Sequence, residues 1–271
     1  MSEIRVSSLH VYPVKSARGL TVTEAEVEAR GFAHDRRFMV VDERGAFFTQ
    51  RELPAMALIG VAIQGETLVL TVPGLGHAEV PLRPQEGGAR RVRVWDDECE
   101  AVAVSPEAAD LLGRHLGRRC ELVYMPESSL RPVRDGREEP GDLVSFADAF
   151  PFLIVSRASL EGLNARLAER EQGAVPMDRF RPNLVVEGCD PHAEDGWSEI
   201  AIGAVRFQVT KPCARCALVT VDQERGVAGK EPLATLATYR KDQGQVLFGQ
   251  NMVPTGRGVI RVGDPVRPVS P

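Results

Sequence analysis

The chain has 271 residues, of which 43% are hydrophobic and 26% charged, and this length allows one large domain or two modest ones with buried cores. A net charge of −5 argues against bulk nucleic-acid binding, which requires a basic surface to neutralise phosphates. No signal-peptide pattern or bilayer-length apolar run is present, and five cysteines are few for a disulfide framework. The sequence therefore predicts a cytoplasmic protein with reduced thiols and with neither nucleic acid nor a membrane as partner.

The first half consists mainly of short β-rich runs separated by turn signals. Strands are expected at 4–11, 20–27, 37–41, 46–49, 58–63, 67–72, 92–95 and 99–104. Ser105 followed by Pro106 predicts the start of a helix that runs toward His115, because serine caps helices and proline is tolerated at the first position.

The second half follows a polar stretch at 126–142 that is rich in proline, glycine and charge, which indicates a loop or a domain boundary. Helices are expected at 157–170 and 232–240, and the segment 248–252 is interpreted as a polar loop or turn. Further strands are expected at 152–155, 183–187, 199–202, 205–210, 217–222 and 259–261. The pattern predicts a mainly β fold of the α+β type, with domains at 1–125 and 126–271.

The strongest local feature is Cys213-Ala-Arg-Cys216, which lies between two predicted strands. Lys211 and Arg215 stand beside it, and nearby cations lower the pKa of a thiol and so enrich the thiolate. A thiolate is both a nucleophile and a soft metal ligand.

Four interpretations of this motif remain open. The cysteines are inert structural residues, a thioredoxin-like dithiol, half of a zinc site completed by Cys189 and His192, or the source of one thiolate for a metal carried by an organic cofactor. The dithiol is disfavoured because the segment after Cys216 looks like a strand, whereas the thioredoxin motif opens a helix.

Basic and amide side chains stand at several predicted strand ends. Lys15 and Ser16 close the first strand, Arg36 precedes another, and Arg181 and Asn183 open a third. Charge combined with directed donors is what a phosphate site requires, although each residue alone is typical of a solvated surface. Farther along, Asp195 and Trp197 flank a glycine, where an acid is usually exposed and a tryptophan usually belongs to the core.

Taken together, eight fragments that cover nearly the whole chain occur in the same order as in MOSC proteins, a family named after the C-terminal part of molybdenum-cofactor sulfurases. They are YPVKS, DRRFMVVD, FADAFPFLIVS, FRPNLVVEGCD, AEDGW, KPCARCALVTVD, KEPLATLATYR and FGQNM. The sequence most resembles the branch with an N-terminal β-barrel domain, as in mitochondrial amidoxime-reducing components and bacterial reductases of N-hydroxylated bases. His192 departs from the family pattern, which has an aromatic residue there.

The resemblance implies a β-barrel MOSC domain at 126–271, preceded by a β-rich N-terminal domain at 1–125, with few peripheral helices. It also implies a molybdenum cofactor, Mo-molybdopterin, whose metal is held by Cys216 as the catalytic ligand. Contacts to the cofactor's phosphate and ring system are implied for Lys15, Ser16, Arg36, Arg181 and Asn183, with Asp195 and Trp197 nearby.

The implied activity is reduction of a small N-hydroxylated substrate. The chain has neither a Gly-x-Gly-x-x-Gly fingerprint nor iron–sulfur cysteine spacing, so electrons are expected from a separate ferredoxin, cytochrome or flavoprotein. Arg131, Arg134 and Arg137 are a candidate docking patch for that donor. Neither the ferredoxin domain of some bacterial relatives nor the anchor of the mitochondrial ones is expected here. The alternatives are a cofactor carrier or sulfur-transfer module with a persulfide on Cys213 or Cys216, and, less favoured, a structural zinc protein.

Overall fold

Strands make up most of the regular structure in the computed structural model, which describes residues 3–85, 87–134 and 141–269. In chain order they are β1 (Arg5–Val11), β2 (Leu20–Val22), β3 (Glu24–Glu28), β4 (Gly31–Phe32), β5 (Phe38–Val41), β6 (Gly60–Gln64), β7 (Thr67–Val72), β8 (Gly76–Pro81), β9 (Ala89–Val94), β10 (Asp97–Ala103), β11 (Glu121–Tyr124), β12 (Phe152–Ser156), β13 (Leu184–Glu187), β14 (Glu199–Ile202), β15 (Val205–Ala214), β16 (Val221–Asp222), β17 (Val227–Ala228), β18 (Lys241–Asp242), β19 (Gln245–Pro254), β20 (Gly258–Arg261) and β21 (Val266–Val269). The mainly β fold class is confirmed.

Helices are short and peripheral. The α-helices are α1 (Pro106–Leu116), α2 (Arg157–Glu169) and α3 (Leu233–Leu236), and 3-10 helices cover Pro54–Leu58, Met177–Arg179, Ala193–Gly196 and Ala217–Thr220. The predicted cap of α1 is confirmed, because the Ser105 hydroxyl accepts a hydrogen bond from the Ala108 N–H at 3.1 Å. Gly117 ends this helix in the left-handed conformation, with φ 66°.

The largest sheet joins both ends of the chain. Its main order is β2-β1-β13-β12-β19-β15-β14-β21, and β18 pairs with β19. The N-terminal strand β1 runs antiparallel to β13, and β3 pairs in a second sheet with β20 from near the C-terminus. The division into domains at 1–125 and 126–271 stays a prediction, and these pairings cross it.

The middle of the N-terminal half forms its own layer. One sheet has the order β5-β11-β10-β9 and another β6-β7-β8, and α1 contacts β8, β11 and β7. Their apolar faces share a core that includes Phe38, Met56, Leu68 and Leu112. A separate core, which includes Leu9, Phe152 and Phe207, lies against the largest sheet. Burial of both cores holds the intervening segments in place.

Some predicted elements differ from the structure. The segment 20–27 forms two strands, 46–49 makes only isolated bridges, and 217–222 is a 3-10 helix followed by the two-residue β16. The predicted third helix, 232–240, is reduced to α3. The segment interpreted as a polar break, 248–252, lies inside the ten-residue strand β19.

Gly249 explains why β19 is hard to recognise. Its φ of 77° lies in the left-handed region, and a Cβ atom there would lie 2.7 Å from the Ile154 carbonyl oxygen. The strand therefore continues through a position that only glycine occupies without strain. The polar residue that follows, Gln250, is buried and not solvated.

We expect Gly249→Ala to lower the free energy of unfolding by roughly 2–4 kcal/mol, from left-handed strain and overpacking against backbone. Gly244→Ala is the matched control, because its φ is 81° and no described heavy atom lies within 4 Å of the added Cβ. The control should lose only about 1–2 kcal/mol. Urea unfolding followed by circular dichroism measures both, and equal losses would contradict the close-approach explanation.

Candidate functional site

A cleft of about 370 Å³ lies beside the C-terminal end of β15. Residues that are far apart in sequence meet in it, including Lys15, Ser16, Arg36, Asp148, Arg181, Asn183, Lys211, Cys213, Arg215, Cys216 and Asn251. The described lining therefore contains five cationic side chains and one carboxylate, which makes the cleft strongly basic in an acidic protein.

The two cysteines of the motif have different surroundings. Cys213 is half-buried beside an apolar cluster, and its Sγ accepts a hydrogen bond from Arg215 Nη1 at 2.9 Å. Cys216 is exposed and precedes the 3-10 helix Ala217–Thr220, and Arg51 Nη1 lies 3.5 Å from its Sγ. The accessible thiol of the pair is therefore Cys216.

Lys15 is buried at the floor of the cleft. Its Nζ donates to the Phe146 carbonyl oxygen at 2.7 Å and forms an ion pair with Asp148. Burial lowers the pKa of Lys15, and Asp148 opposes that shift. For Asp148 burial alone would raise the pKa, but the charges of Lys15 and Arg51 outweigh it and hold the pKa below its ordinary value.

Two guanidinium groups contact the ring of Tyr12. Arg36 and Arg181 each have their Cζ 4.3 Å from the centre of its ring, a cation–π distance. Arg181 also donates from Nη1 to the Ala17 carbonyl oxygen at 2.6 Å, and burial lowers the pKa of Arg181 to about 10. Arg181 therefore remains charged at neutral pH.

The buried carboxylate of Asp35 holds Tyr12, Arg36 and Asn183 together by hydrogen bonds. It is 1% exposed and accepts hydrogen bonds from the Tyr12 N–H at 2.8 Å, from Arg36 at 2.6 Å and from Asn183 at 3.2 Å. Asn183 Oδ1 in turn accepts from Arg36 Nη1 at 3.0 Å. Arg36 and Asn183 are thus held in position by the protein itself.

Three cleft residues that are not glycine have left-handed backbone conformations. The φ angles are 65° for Ser16, 49° for Arg36 and 53° for Arg181. Such conformations cost about 1–3 kcal/mol each and persist where the surrounding structure enforces them. Their concentration in one cleft marks it as a candidate functional site.

Comparison with known proteins gives matches to both halves. Residues 3–119 match the MOSC N-terminal beta barrel domain, and residues 142–267 match the MOSC domain. Mitochondrial amidoxime-reducing component 1 is 37% identical in Mus musculus and 36% in Homo sapiens, over 96% of this chain and 81% and 82% of those proteins. The chain belongs to the MOSC family.

The family also contains a molybdenum cofactor sulfurase. The Danio rerio protein of that name is 33% identical over 92% of this chain but only 32% of its own length. This MOSC protein therefore belongs to a family of molybdenum-cofactor-associated reductases and sulfurases.

The amidoxime-reducing relatives are named as mitochondrial components, and these names point to mitochondria. The predicted cytoplasmic location is therefore wrong. Composition does not report location, because targeting depends on separate address segments. In the described part of the chain, no helix is long and apolar enough to cross a membrane.

The structure separates the site residues named from sequence into two groups. Cys216, Lys15, Ser16, Arg36, Arg181 and Asn183 all line the cleft of this MOSC protein. Asp195 and Trp197 are not among its lining residues. Asp195 accepts hydrogen bonds from Arg240 at 2.6 Å and Gln250 at 2.7 Å, and Trp197 is buried in the core of the largest sheet.

The zinc interpretation is not supported. Among residues 3–85, 87–134 and 141–269, no group of three or more His, Cys, Asp or Glu is arranged to hold a metal ion. The ring of His192 packs against Tyr239 and Phe248 at centroid distances of 6.0 and 5.9 Å. It therefore occupies an aromatic environment, in which it packs as a ring.

Sequence reasoning missed three residues at the mouth of the cleft. Arg51 contacts Cys216, Asp148 is the carboxylate of the lining, and Trp95 contacts both Arg51 and Asp148. The only signal for Asp148 was its place in one of the family fragments. Arg51 lies in a turn and Trp95 at the tip of the β9–β10 hairpin, and residue spacing in the sequence does not reveal that the two meet.

The proposed arginine docking patch is wrong for Arg131. That side chain is 4% exposed and pairs with Asp97 at 2.7 Å. Arg134 is exposed and pairs with the same carboxylate at 3.1 Å, and Arg137 lies outside the described residues. Arg131 was assigned to the surface because its neighbours in sequence are polar, whereas its guanidinium is buried against Asp97 and backbone carbonyls.

We expect Asp148→Asn to reduce the fall in the free energy of unfolding that the wild type shows as the pH drops below about 4, which is the acid limb of its stability curve. Because the folded-state pKa lies below its ordinary value of 3.8, this carboxylate stabilises the fold above about pH 4 and loses that contribution as pH falls further. Urea unfolding from pH 2 to 7 measures the effect, which solvent weakens because Asp148 is half exposed.

The exposed Asp96→Asn, on the neighbouring turn, is the control and should keep the wild-type acid limb. A wild-type limb in Asp148→Asn would show that the Lys15 and Arg51 contacts do not stabilise the ionised carboxylate.

Proposed function

We propose that this MOSC protein binds molybdenum cofactor and reduces N-hydroxylated compounds with electrons from a separate redox protein. The observation that carries the proposal is the meeting, in one cleft, of the exposed Cys216 thiol with five cationic side chains. Relatives named amidoxime-reducing components, similar along 96% of this chain, support the same activity.

The donor set fits a cofactor with a phosphate and a polar ring system. Lys15, Arg36 and Arg181 supply charge, and Ser16 and Asn183 add directed polar groups. Arg215 lines the cleft, and its Nε is buried without a hydrogen-bond partner among the described residues, an unsatisfied donor of the kind found at binding sites. Cys216 would be the single soft ligand that the metal takes from the protein.

The reaction requires two electrons and two protons for each N–O bond that is broken. An amidoxime would yield an amidine and water, and the bound cofactor would supply this redox chemistry. The protein's part is to hold the cofactor and orient the substrate in a basic cleft that opens to solvent at Cys216.

A second candidate is sulfur transfer. The similarity to a molybdenum cofactor sulfurase and the accessible thiol of Cys216 both favour it. In that case Cys216 would accept sulfane sulfur from the persulfide of a separate donor protein, which leaves as its thiol, and purified protein that carries this persulfide would release thiocyanate when treated with cyanide. A loaded protein with persulfide but without amidoxime reduction would favour this candidate over the reductase.

We expect Cys216→Ser to abolish amidoxime reduction driven by a reduced artificial donor, because a hydroxyl is a harder, poorer ligand than a thiolate. Cys213→Ser is the matched control within the motif and should keep substantial activity. Expression in a cofactor-competent host, with molybdenum and zinc measured per chain and folding checked by circular dichroism, completes the experiment. Wild-type activity in Cys216→Ser, or loss only in Cys213→Ser, would overturn the ligand assignment.

We also expect no amidoxime reduction when a reduced nicotinamide cofactor is the only electron donor. Addition of a cytochrome or ferredoxin together with its reductase should restore turnover, because the chain carries no nucleotide fingerprint of its own. The steady-state rate at which the reduced nicotinamide cofactor is oxidised in the presence of an amidoxime measures this. Efficient turnover without the added redox protein would refute the separate donor.

A further inference from the structure

Trp95 combines exposure, backbone strain and closeness to Cys216. It is 48% exposed, whereas the other tryptophan of the chain, Trp197, is buried. It occupies the first position of the two-residue turn between β9 and β10, with φ 56°. A positive φ at a hairpin turn favours glycine, so a large aromatic residue there costs about 1–2 kcal/mol and calls for an explanation.

The side chain of Trp95 extends to the mouth of the cleft. Its Nε1 donates a long hydrogen bond of 3.4 Å to Asp148, which lines the cleft. The guanidinium of Arg51 lies 4.6 Å from the ring centre of Trp95 and, through Nη1, 3.5 Å from Cys216 Sγ. One side chain therefore separates the indole from the thiol.

Buried charge holds this hairpin tip in place. Arg131 pairs with Asp97, directly after the turn, and donates to the carbonyl oxygens of Ala147 at 2.6 Å and Asp148 at 3.0 Å. Phe47 packs edge-on against the indole at 5.4 Å between centroids. Phe47 and the contacts of Arg131 thus hold Trp95 in position, while about half of its surface remains exposed to solvent.

We propose that Trp95, backed by Arg51, is a stacking platform that makes the site selective for substrates with a flat aromatic substituent on the reducible group. A fixed aromatic face gains stacking energy with a planar ring and gains little with a small alkyl group. The proposal rests on the proposed reductase function for its kinetic test, but not for its binding test.

Two probes share the same reducible head. Benzamidoxime carries a phenyl ring, and acetamidoxime carries a methyl group. In the molybdenum-loaded protein, Trp95→Ala should lower the ratio of kcat/KM for benzamidoxime to that for acetamidoxime about two- to tenfold. The change should lie in KM for benzamidoxime. Trp95→Phe retains an aromatic face and should restore most of the ratio, and Leu75→Ala, an exposed apolar residue on another hairpin, should leave it at the wild-type value.

Tryptophan fluorescence supplies a readout that needs no turnover. Benzamidoxime should quench the emission of the wild type, and Trp95→Phe, which leaves only Trp197, should lose that quenching. An unchanged substrate ratio in Trp95→Ala, or quenching that persists in Trp95→Phe, would overturn the platform. Quenching that depends on Trp95 in a loaded protein that reduces neither amidoxime would support the platform and overturn the reductase function.

Discussion

The cleft depends on one buried carboxylate. Asp35 accepts hydrogen bonds from the Tyr12 backbone, from Arg36 and from Asn183, and so joins the N-terminal segment to the start of β13. The guanidinium groups of Arg36 and Arg181 lie on the same tyrosine ring, and burial alone would make two such cations unfavourable. A single negative charge beneath them makes a basic cleft compatible with a folded interior.

The opposite arrangement holds at the mouth. There the carboxylate, Asp148, is half exposed, and Lys15, one of the two cations it pairs with, is buried. The buried Asp35 thus pairs with Arg36, and Asp148 pairs with Lys15 and with Arg51, which contacts the exposed Cys216. In this arrangement Arg36 and Arg181 are held by hydrogen bonds within the protein, and the thiol of Cys216 is exposed.

Sequence reasoning identified what local chemistry encodes. The serine cap and Pro106 located α1, and family fragments identified Lys15, Arg181 and Cys216, which share one cleft. It failed where backbone conformation or distant pairing decides the structure. Gly249 hides a long strand by its positive φ, and the segment after Cys216 forms a 3-10 helix although its β-branched residues suggested a strand.

The same limit applies to the rest of the site. Asp195 and Trp197 lie two residues apart in a family fragment, yet one is tied to Arg240 and the other is core. Arg51 and Trp95 belong to segments whose local sequence gives no reason to bring them to the cysteine motif. The position of Trp95 follows from the hairpin of β9 and β10 and from the buried Arg131, which looked like one of several surface arginines in sequence.

The interleaving of the chain ends constrains how the protein is made. Strand β1 pairs with β13, and the side chains of Arg5 and Glu187 that bond across them are 182 positions apart. At a synthesis rate of about 5–20 residues per second, the ribosome needs roughly 10–40 s to supply the partner. During that interval β1 has β2 beside it but lacks β13, so one of its edges stays unpaired and is a site where chaperones would protect the nascent chain.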